Sequence, residues 1–256
     1  MSPFLSVVIP ALNEEARLPA SLRAILEYVD SAGIPTEVLV VDDGSTDDTA
    51  RVAAGLLGRD RGRVLRNDEN RGKGFSFRRG FAAARGRWLL LSDADLSTPI
   101  AEHAKLADLA RTRDLDLVIA SRAQPDSRLE VRQGFVRRSM GQTFNRIIRA
   151  MTGLRFRDTQ CGFKLMDRRR VHPIVERMIV DGFAFDVELL YVATRFGLRV
   201  GEVPVTWRNS PDSRVGLASA PPRMLLDLLR VLWRFRRGGY NPRTAAEDAP
   251  GTRASG

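Results

Sequence analysis

The acids Asp42 and Asp43, and the acids Asp93 and Asp95, are the residues of this chain best placed to do chemistry. The first pair ends the run Val38-Leu39-Val40-Val41 and is followed by Gly44-Ser45; the second ends Trp88-Leu89-Leu90-Leu91 and reads Ser92-Asp93-Ala94-Asp95. Apolar, β-branched runs of this length read as buried strands of a parallel sheet, and such sheets carry ligands at the carboxyl ends of their strands. Two carboxylates one residue apart can share a hard divalent cation, Mg2+ or Mn2+, that bridges to substrate phosphates. The first reading is a nucleotide-diphosphate site with a metal on Asp95 and Asp93, the cation neutralising a departing diphosphate. Helix capping and strand-end solvation are the alternative for a bare D-x-D.

Three further segments carry polar residues where the pattern does not demand them. Asn70-Arg71-Gly72-Lys73-Gly74 precedes a helix; glycines admit phosphate to the backbone and a helix start favours anions, so Lys73 marks either a phosphate contact or a tight turn. Its spacing is not that of a Walker motif. Asp158-Thr159-Gln160-Cys161-Gly162-Phe163-Lys164 is a polar insertion, and Phe185-Asp186-Val187-Glu188-Leu189 sets two acids on an apolar helix. Polar groups there must be paired or functional, which leaves Gln160, Lys164, Asp186 and Glu188 as substrate-side residues or as buried ion pairs. Neither His103 nor His172 belongs to a motif that would activate Cys161 or build a zinc site.

Strands and helices alternate through the first half. Expected strands are Leu5–Ile9, Glu37–Val41, Arg63–Arg66, Arg87–Leu91 and Leu115–Ala120. Expected helices are Glu14–Val29 capped by Asn13, one capped by Thr46 or Asp47 and running to Leu57, Gly72–Ala84, and Ile100–Arg111. That order predicts an α/β fold, a mainly parallel sheet with helices on both faces. In the second half, 122–134 reads as a loop, Phe135–Met151 as a basic helix, 183–196 as a helix and Val200–Trp207 as a strand.

The 256 residues suit one catalytic domain over 1–218, an amphipathic helix within 219–237 and a structureless tail over 238–256. In Met224–Phe235 a narrow stripe of Asp227, Arg230, Arg234 and Arg237 faces a broad apolar surface, which suits a membrane interface or a docked terminal helix. No apolar run reaches membrane-spanning length, a signal-peptide profile is lacking, and a single cysteine excludes an internal disulfide. The net charge of +10 is nearly all arginine, since only Lys73, Lys105 and Lys164 are lysines. Codon usage or attraction to phosphate both explain such a bias. Its concentration between Arg122 and Arg157 favours one basic patch beside one acidic site, and no motif of nucleic-acid recognition accompanies it.

Taken together, these motifs resemble a family 2 glycosyltransferase of the GT-A (Rossmann-like) fold over residues 4–210. Val8-Ile9-Pro10-Ala11-Leu12-Asn13-Glu14-Glu15, Val41-Asp42-Asp43-Gly44-Ser45-Thr46-Asp47, Asn70–Gly74 and Asp93–Asp95 carry the likeness. Within that group the chain is most similar to dolichyl- or polyprenyl-phosphate glycosyltransferases. Asp158–Lys164, Phe185–Leu189 and Glu202-Val203-Pro204-Val205-Thr206-Trp207 lean toward the glucosyl branch. The resemblance implies that Pro10, Leu12, Glu14 and Asp43 contact a nucleoside in a pocket shaped by Asp42, with Ala11, Lys73 and Ala94 in the same nucleotide-binding set. It implies that Asp93 and Asp95 face ribose, diphosphate and metal, and that Ser121, Arg122, Arg137 and Arg138 lie where relatives hold the acceptor phosphate. Mannosyl relatives often carry Gln at the position of Ser97, so the mannosyl alternative is the weaker. The implied enzyme is peripheral on the cytoplasmic face of an anionic membrane. It takes hexose from a nucleotide sugar, UDP-glucose first, onto a polyprenyl phosphate. A non-catalytic nucleotide-binding protein at the membrane is the alternative of another class.

Overall fold

The computed structural model describes residues 3–58, 60–129, 135–208 and 220–241. A seven-stranded sheet forms its centre, in the order β3-β2-β1-β4-β7-β5-β8. Its members are β1 (Leu5–Ala11), β2 (Thr36–Asp42), β3 (Gly62–Arg66), β4 (Trp88–Leu91), β5 (Leu117–Ser121), β7 (Lys164–Asp167) and β8 (Val200–Pro204). All run parallel except β7, which is antiparallel to β4 and β5. Two short strands, β6 (Arg128–Leu129) and β9 (Thr206–Trp207), pair separately.

Period-two alternation divides the strand side chains between two cores. Val8, Leu39, Val41, Leu89, Leu91 and Ile119 point to one face. There they meet α3 (Lys73–Ala83), α5 (Phe135–Thr152), α6 (Arg168–Val175), α7 (Phe185–Arg195) and α8 (Ala220–Arg236). Val7, Ile9, Val38, Val40, Leu90 and Val118 point to the other. These pack on α1 (Leu18–Ser31), α2 (Thr49–Leu57) and α4 (His103–Thr112). Both strand faces are covered, which is why the runs are apolar throughout.

The antiparallel strand matters most for position. Because β7 runs against its neighbours, its first residue, Lys164, pairs with Leu91 of β4 and Ile119 of β5, near their carboxyl ends. The insertion 158–163 is thereby delivered to the edge where Asp93 emerges.

Several expected boundaries move. Asn13 does not cap α1: its φ is +53°, its N–H donates to Ser45 Oγ at 2.8 Å and its Oδ1 accepts from Thr46 N–H at 2.8 Å. It ties two loops together, and the helix begins only at Leu18, with Pro19 in its first turn. The next helix begins at Thr49, where Asp47 accepts from the Thr49 N–H at 3.0 Å. The expected loop 122–134 contains β6, the strand expected over Val200–Trp207 breaks at Val205, and α6 had no counterpart in the sequence reading. The tail expected to be structureless from 238 is ordered through Asn241, with Tyr240 buried; residues 242–256 lie outside the described part. Helix α8 has two apolar faces: Met224, Leu228 and Val231 enter the core, whereas Leu226, Leu229 and Trp233 are about half exposed, at 57%, 49% and 58%.

Candidate active site

The carboxyl edge of the sheet gathers three ion pairs. Lys73 Nζ lies 2.5 Å from Asp93 Oδ1, Lys164 Nζ lies 2.5 Å from Asp186 Oδ1, and Arg122 grips Asp158 with Nε at 2.7 Å and Nη2 at 2.9 Å. They come from five places in the chain: the start of α3, the end of β4, the insertion with β7, the start of α7 and the end of β5. Burial opposes the charges of Lys73, Asp93, Arg122 and Asp158, and their pairing outweighs it.

Lys73 is aimed by the loop that precedes it. Asp43, at the end of β2, accepts from the Arg71 N–H at 3.0 Å, the Gly72 N–H at 2.8 Å and Asn67 Nδ2 at 2.7 Å. On the other side the Asp181 carbonyl accepts from the Gly74 N–H at 2.7 Å and the Phe75 N–H at 3.2 Å. Gly72 has φ +101°, and a Cβ there or at Gly74 would overlap the carbonyls of Asp181 or Val180. The glycines are therefore required by this close approach. Desolvation pulls the Lys73 pKa down, but Asp93, Asp186 and Asp95 outweigh it and hold the ammonium above its ordinary value.

Asp93 is balanced in the same way. Burial works against its ionisation, and Lys73, with Lys164 and Arg122 further off, holds it below the usual carboxylate range. Gly162 lies flat against this carboxylate; a Cβ there would fall 2.5 Å from Asp93 Cγ. Asp95 accepts from the Ser97 N–H at 3.0 Å and lies 3.7 Å from Arg17 Nη1, while Arg17 also bonds Glu14 at 2.7 Å. Asp93 and Asp95 fit a hard cation in kind, offering carboxylate oxygen only. Among the described residues no group of three or more His, Cys, Asp or Glu could hold a metal. An ion here would draw the rest of its shell from nucleotide phosphate and water. With Lys73 already on Asp93, Asp95 is the better ligand of the two.

On the far side, burial disfavours the charge on Arg122, and Asp158 more than restores it; the same pairing holds Asp158 below its ordinary value. The Arg122 guanidinium also lies 5.6 Å from the Trp207 ring centroid. Asp186 behaves differently: burial raises its pKa despite Lys164 and Lys73. Lys164 is fully buried and also donates to the Cys161 carbonyl. Burial raises the Cys161 thiol, in keeping with an unreactive cysteine.

The expected site residues thus divide. Asp93, Asp95, Lys73, Arg122, Lys164 and Asp186 are brought together, with Ala94 buried between the two acids. Pro10 and Ala11 end β1 beside Val41 and Asp42, and Leu12 and Glu14 follow in the adjoining loop. Asp42 Oδ1 accepts from the Ser45 N–H at 3.1 Å; its buried Oδ2 lacks a hydrogen bond, with Arg66 Nε 3.4 Å away. Ser121 is buried, and its Oγ accepts from the Ala123 N–H at 3.3 Å. Gln160 Nε2 reaches Met224 Sδ of α8 at 3.9 Å. Glu188 does not join the site: burial favours its neutral form, and its oxygens accept from the Ile179 N–H at 2.8 Å, the Val180 N–H at 2.9 Å and the Tyr240 hydroxyl. Arg137 and Arg138 lie on α5, and their side chains are outside the described part. Sequence reasoning missed Arg17, Gly162, Asp181 and Tyr240. Only Gly162, inside a polar insertion, gave any signal.

Such an edge can hold a diphosphate against Lys73 and a metal on Asp95, with a second anion at Arg122. A family model described as glycosyl transferase family 2 matches residues 6–171. The chain belongs to that family. This glycosyltransferase is 37% identical over 249 residues to a dolichyl-phosphate beta-glucosyltransferase of Drosophila melanogaster, aligning 92% of its own length with 76% of that protein. The human protein of the same description is 33% identical over 249 residues, with 92% and 77% covered. Among solved structures it is similar to glucosyl-3-phosphoglycerate synthase from Mycobacterium tuberculosis in complex with Mn2+, UDP-glucose and phosphoglyceric acid. The TM-score is 0.67 and the identity 24%, over 90% of this chain and 79% of that one. The fold is GT-A, as the resemblance implied, and the protein is an enzyme.

Proposed function

We propose that this glycosyltransferase transfers glucose from UDP-glucose to the phosphate of a polyprenol, inverting the anomeric carbon to give a β-linked lipid-phosphate sugar. The observation that carries the reading is the placing of Arg122, paired to Asp158, within electrostatic reach of the Lys73–Asp93 pair. One edge can therefore hold two phosphate centres that repel each other. The descriptions of the Drosophila and human relatives supply the acceptor class and the sugar. A likeness to a structure holding Mn2+ and UDP-glucose supports the donor.

A lipid phosphate is already an anionic nucleophile at neutral pH, so the site needs no strong general base. Lys73 meets the donor diphosphate and compensates the negative charge that builds on it as the C1–oxygen bond breaks. Arg122, stiffened by Asp158 and Trp207, holds the acceptor phosphate in line. Gln160 borders the sugar between them, and Lys164 and Asp186 form the buried floor beneath it. Mg2+ or Mn2+, when bound to Asp95 and Asp93, supplies Lewis-acid neutralisation of the leaving diphosphate.

The acceptor lies in a membrane, and the exposed face of α8 suits an anionic one on its cytoplasmic side. Leu226, Leu229 and Trp233 stand out among exposed Arg223, Arg230, Arg236 and Arg237, and the Arg237 guanidinium sits 4.0 Å over the Trp233 ring. No helix among the described residues is long and apolar enough to cross a bilayer. Incubation with radiolabelled UDP-glucose or GDP-mannose, a divalent ion and polyprenyl phosphate in anionic vesicles tests the proposal. Butanol-extractable label from UDP-glucose is expected. Label from GDP-mannose alone, or only water-soluble product, overturns it.

A further inference from the structure

Tyr240 and Glu188 lie outside the charged edge, yet an unbroken chain of bonds runs from them to Lys73. After α8 the chain turns back at Gly238, with φ +73°, through bonds from the Gly238 N–H to Phe235 O and from the Gly239 N–H to Arg234 O, both 3.0 Å. This turn buries the Tyr240 ring beside Phe235, and its hydroxyl donates to Glu188 Oε1. The same carboxylate accepts from the Ile179 and Val180 N–H groups at 2.8 Å and 2.9 Å. The segment it fixes is the bed of the Lys73 loop. Arg78 donates to the Val180 carbonyl at 2.7 Å and pairs with Asp181, and the Asp181 carbonyl receives the Gly74 and Phe75 N–H groups.

Each link is directional, and the bonds of Glu188 to the Tyr240 hydroxyl and the Val180 N–H are buried, where they replace lost solvation, so the chain transmits position better than apolar packing does. We infer that Tyr240 and Glu188 are positioning residues that fix the Lys73 loop for the donor diphosphate, coupling the seating of α8 to donor affinity. The inference rests on the reading of Lys73 as a diphosphate contact. Its physical content is that loosening the Tyr240–Glu188 bond frees 179–181, lets the Gly72–Phe75 turn relax, and costs donor binding before it costs chemistry. Because Gln160 also meets Met224 on α8, the helix borders the site at its other end as well.

The test titrates UDP with Mg2+ by calorimetry into the full chain, the Tyr240→Phe and Glu188→Gln variants, and Ile25→Val, a core trim on the opposite face of the sheet. Hydrogen exchange of the amides of 73–76 and 179–180 is followed in each, well below the melting temperature. UDP affinity is expected to fall about five- to tenfold in Tyr240→Phe with faster exchange in both segments, a range typical of coupling between sites. Steady-state kinetics should show KM for the nucleotide sugar rising with kcat retained. Ile25→Val should lower the melting temperature and move neither quantity. Unchanged affinity and exchange in Tyr240→Phe overturn the inference, as does an equal change in Ile25→Val. Failure of the wild-type chain to bind UDP overturns the diphosphate reading instead.

Discussion

Lys73 Nζ and Asp93 Oδ1 stand 2.5 Å apart, joining the glycine turn before α3 to the end of β4. Neither residue is isolated: Asp43 and Asp181 hold the lysine's turn, and Gly162 backs the aspartate. The pairing holds the ammonium above and the carboxylate below their ordinary values against the cost of burial. On the proposed reading Lys73→Met removes the cation facing the donor diphosphate and leaves Asp93 only the more distant Lys164 and Arg122. Steady-state kinetics should show kcat/KM for the nucleotide sugar lower by roughly 10²–10³, the range for losing one preorganised electrostatic contact. Lys73→Arg should recover part of this. Wild-type kinetics in Lys73→Met contradict the assignment.

Gly162 is predicted to be intolerant of even one methyl group. A Cβ would fall 2.5 Å from Asp93 Cγ, so the carboxylate or the insertion must shift. Displacements of about 1 Å at a reacting centre can cost on the order of 100-fold in rate. Gly162→Ala should therefore lose activity steeply while retaining the fold, checked by kinetics and circular dichroism on the same sample. Full activity would show that Asp93 need not stay where it is.

The Lys164–Asp186 pair should show the asymmetry of buried ion pairs. Lys164→Met strands a buried carboxylate and should cost about 3–5 kcal/mol. Lys164→Met combined with Asp186→Leu removes both charges and should recover much of that loss, although activity stays low. Denaturant unfolding of the two variants decides the matter. Equal destabilisation by both would mean that packing, not pairing, dominates there.

Stability should fall in mild acid because of His103. Burial at the start of α4 pushes its pKa down from 6.5 to about 4, and Tyr28 bonds its Nδ1 at 3.1 Å. The folded protein holds a neutral imidazole, whereas the unfolded chain takes up a proton below about pH 6.5. This contribution is therefore fully present above pH 6.5 and lost progressively as pH falls toward 4. Its full size is on the order of 3 kcal/mol. His103→Gln should flatten the stability profile between pH 6.5 and 4, and an unaltered slope would refute the assignment.

The sheet, its two covered faces and the acids at its edge were legible because uniform apolar runs and strand-end carboxylates are local signals. Asp93 and Asp95 were read from that signal, Lys73 from its glycine-rich turn, and Arg122 only through the family resemblance. What the sequence could not show is who pairs with whom. Asp43 was expected at the nucleoside, and its role in organising the turn of Lys73 could not be read ahead, because the three donors that converge on it come from Asn67, Arg71 and Gly72. Glu188 looked like a partner of Asp186 in function, but α7 turns the two in different directions, toward Tyr240 and toward Lys164. Asn13 read as a helix cap because its side chain suits one; a loop 32 residues away took its N–H instead. These outcomes depend on long-range register, which no window of sequence contains.

Direct displacement at C1 by a lipid phosphate is tested most directly by the stereochemistry of the product. Wild-type protein would be incubated with UDP-α-glucose, Mg2+ and polyprenyl phosphate in anionic vesicles, and the anomeric coupling of the extracted lipid read by proton NMR. A β-linked glucosyl phosphate is the predicted result. An α-linked product, or free glucose without any lipid product, would contradict it.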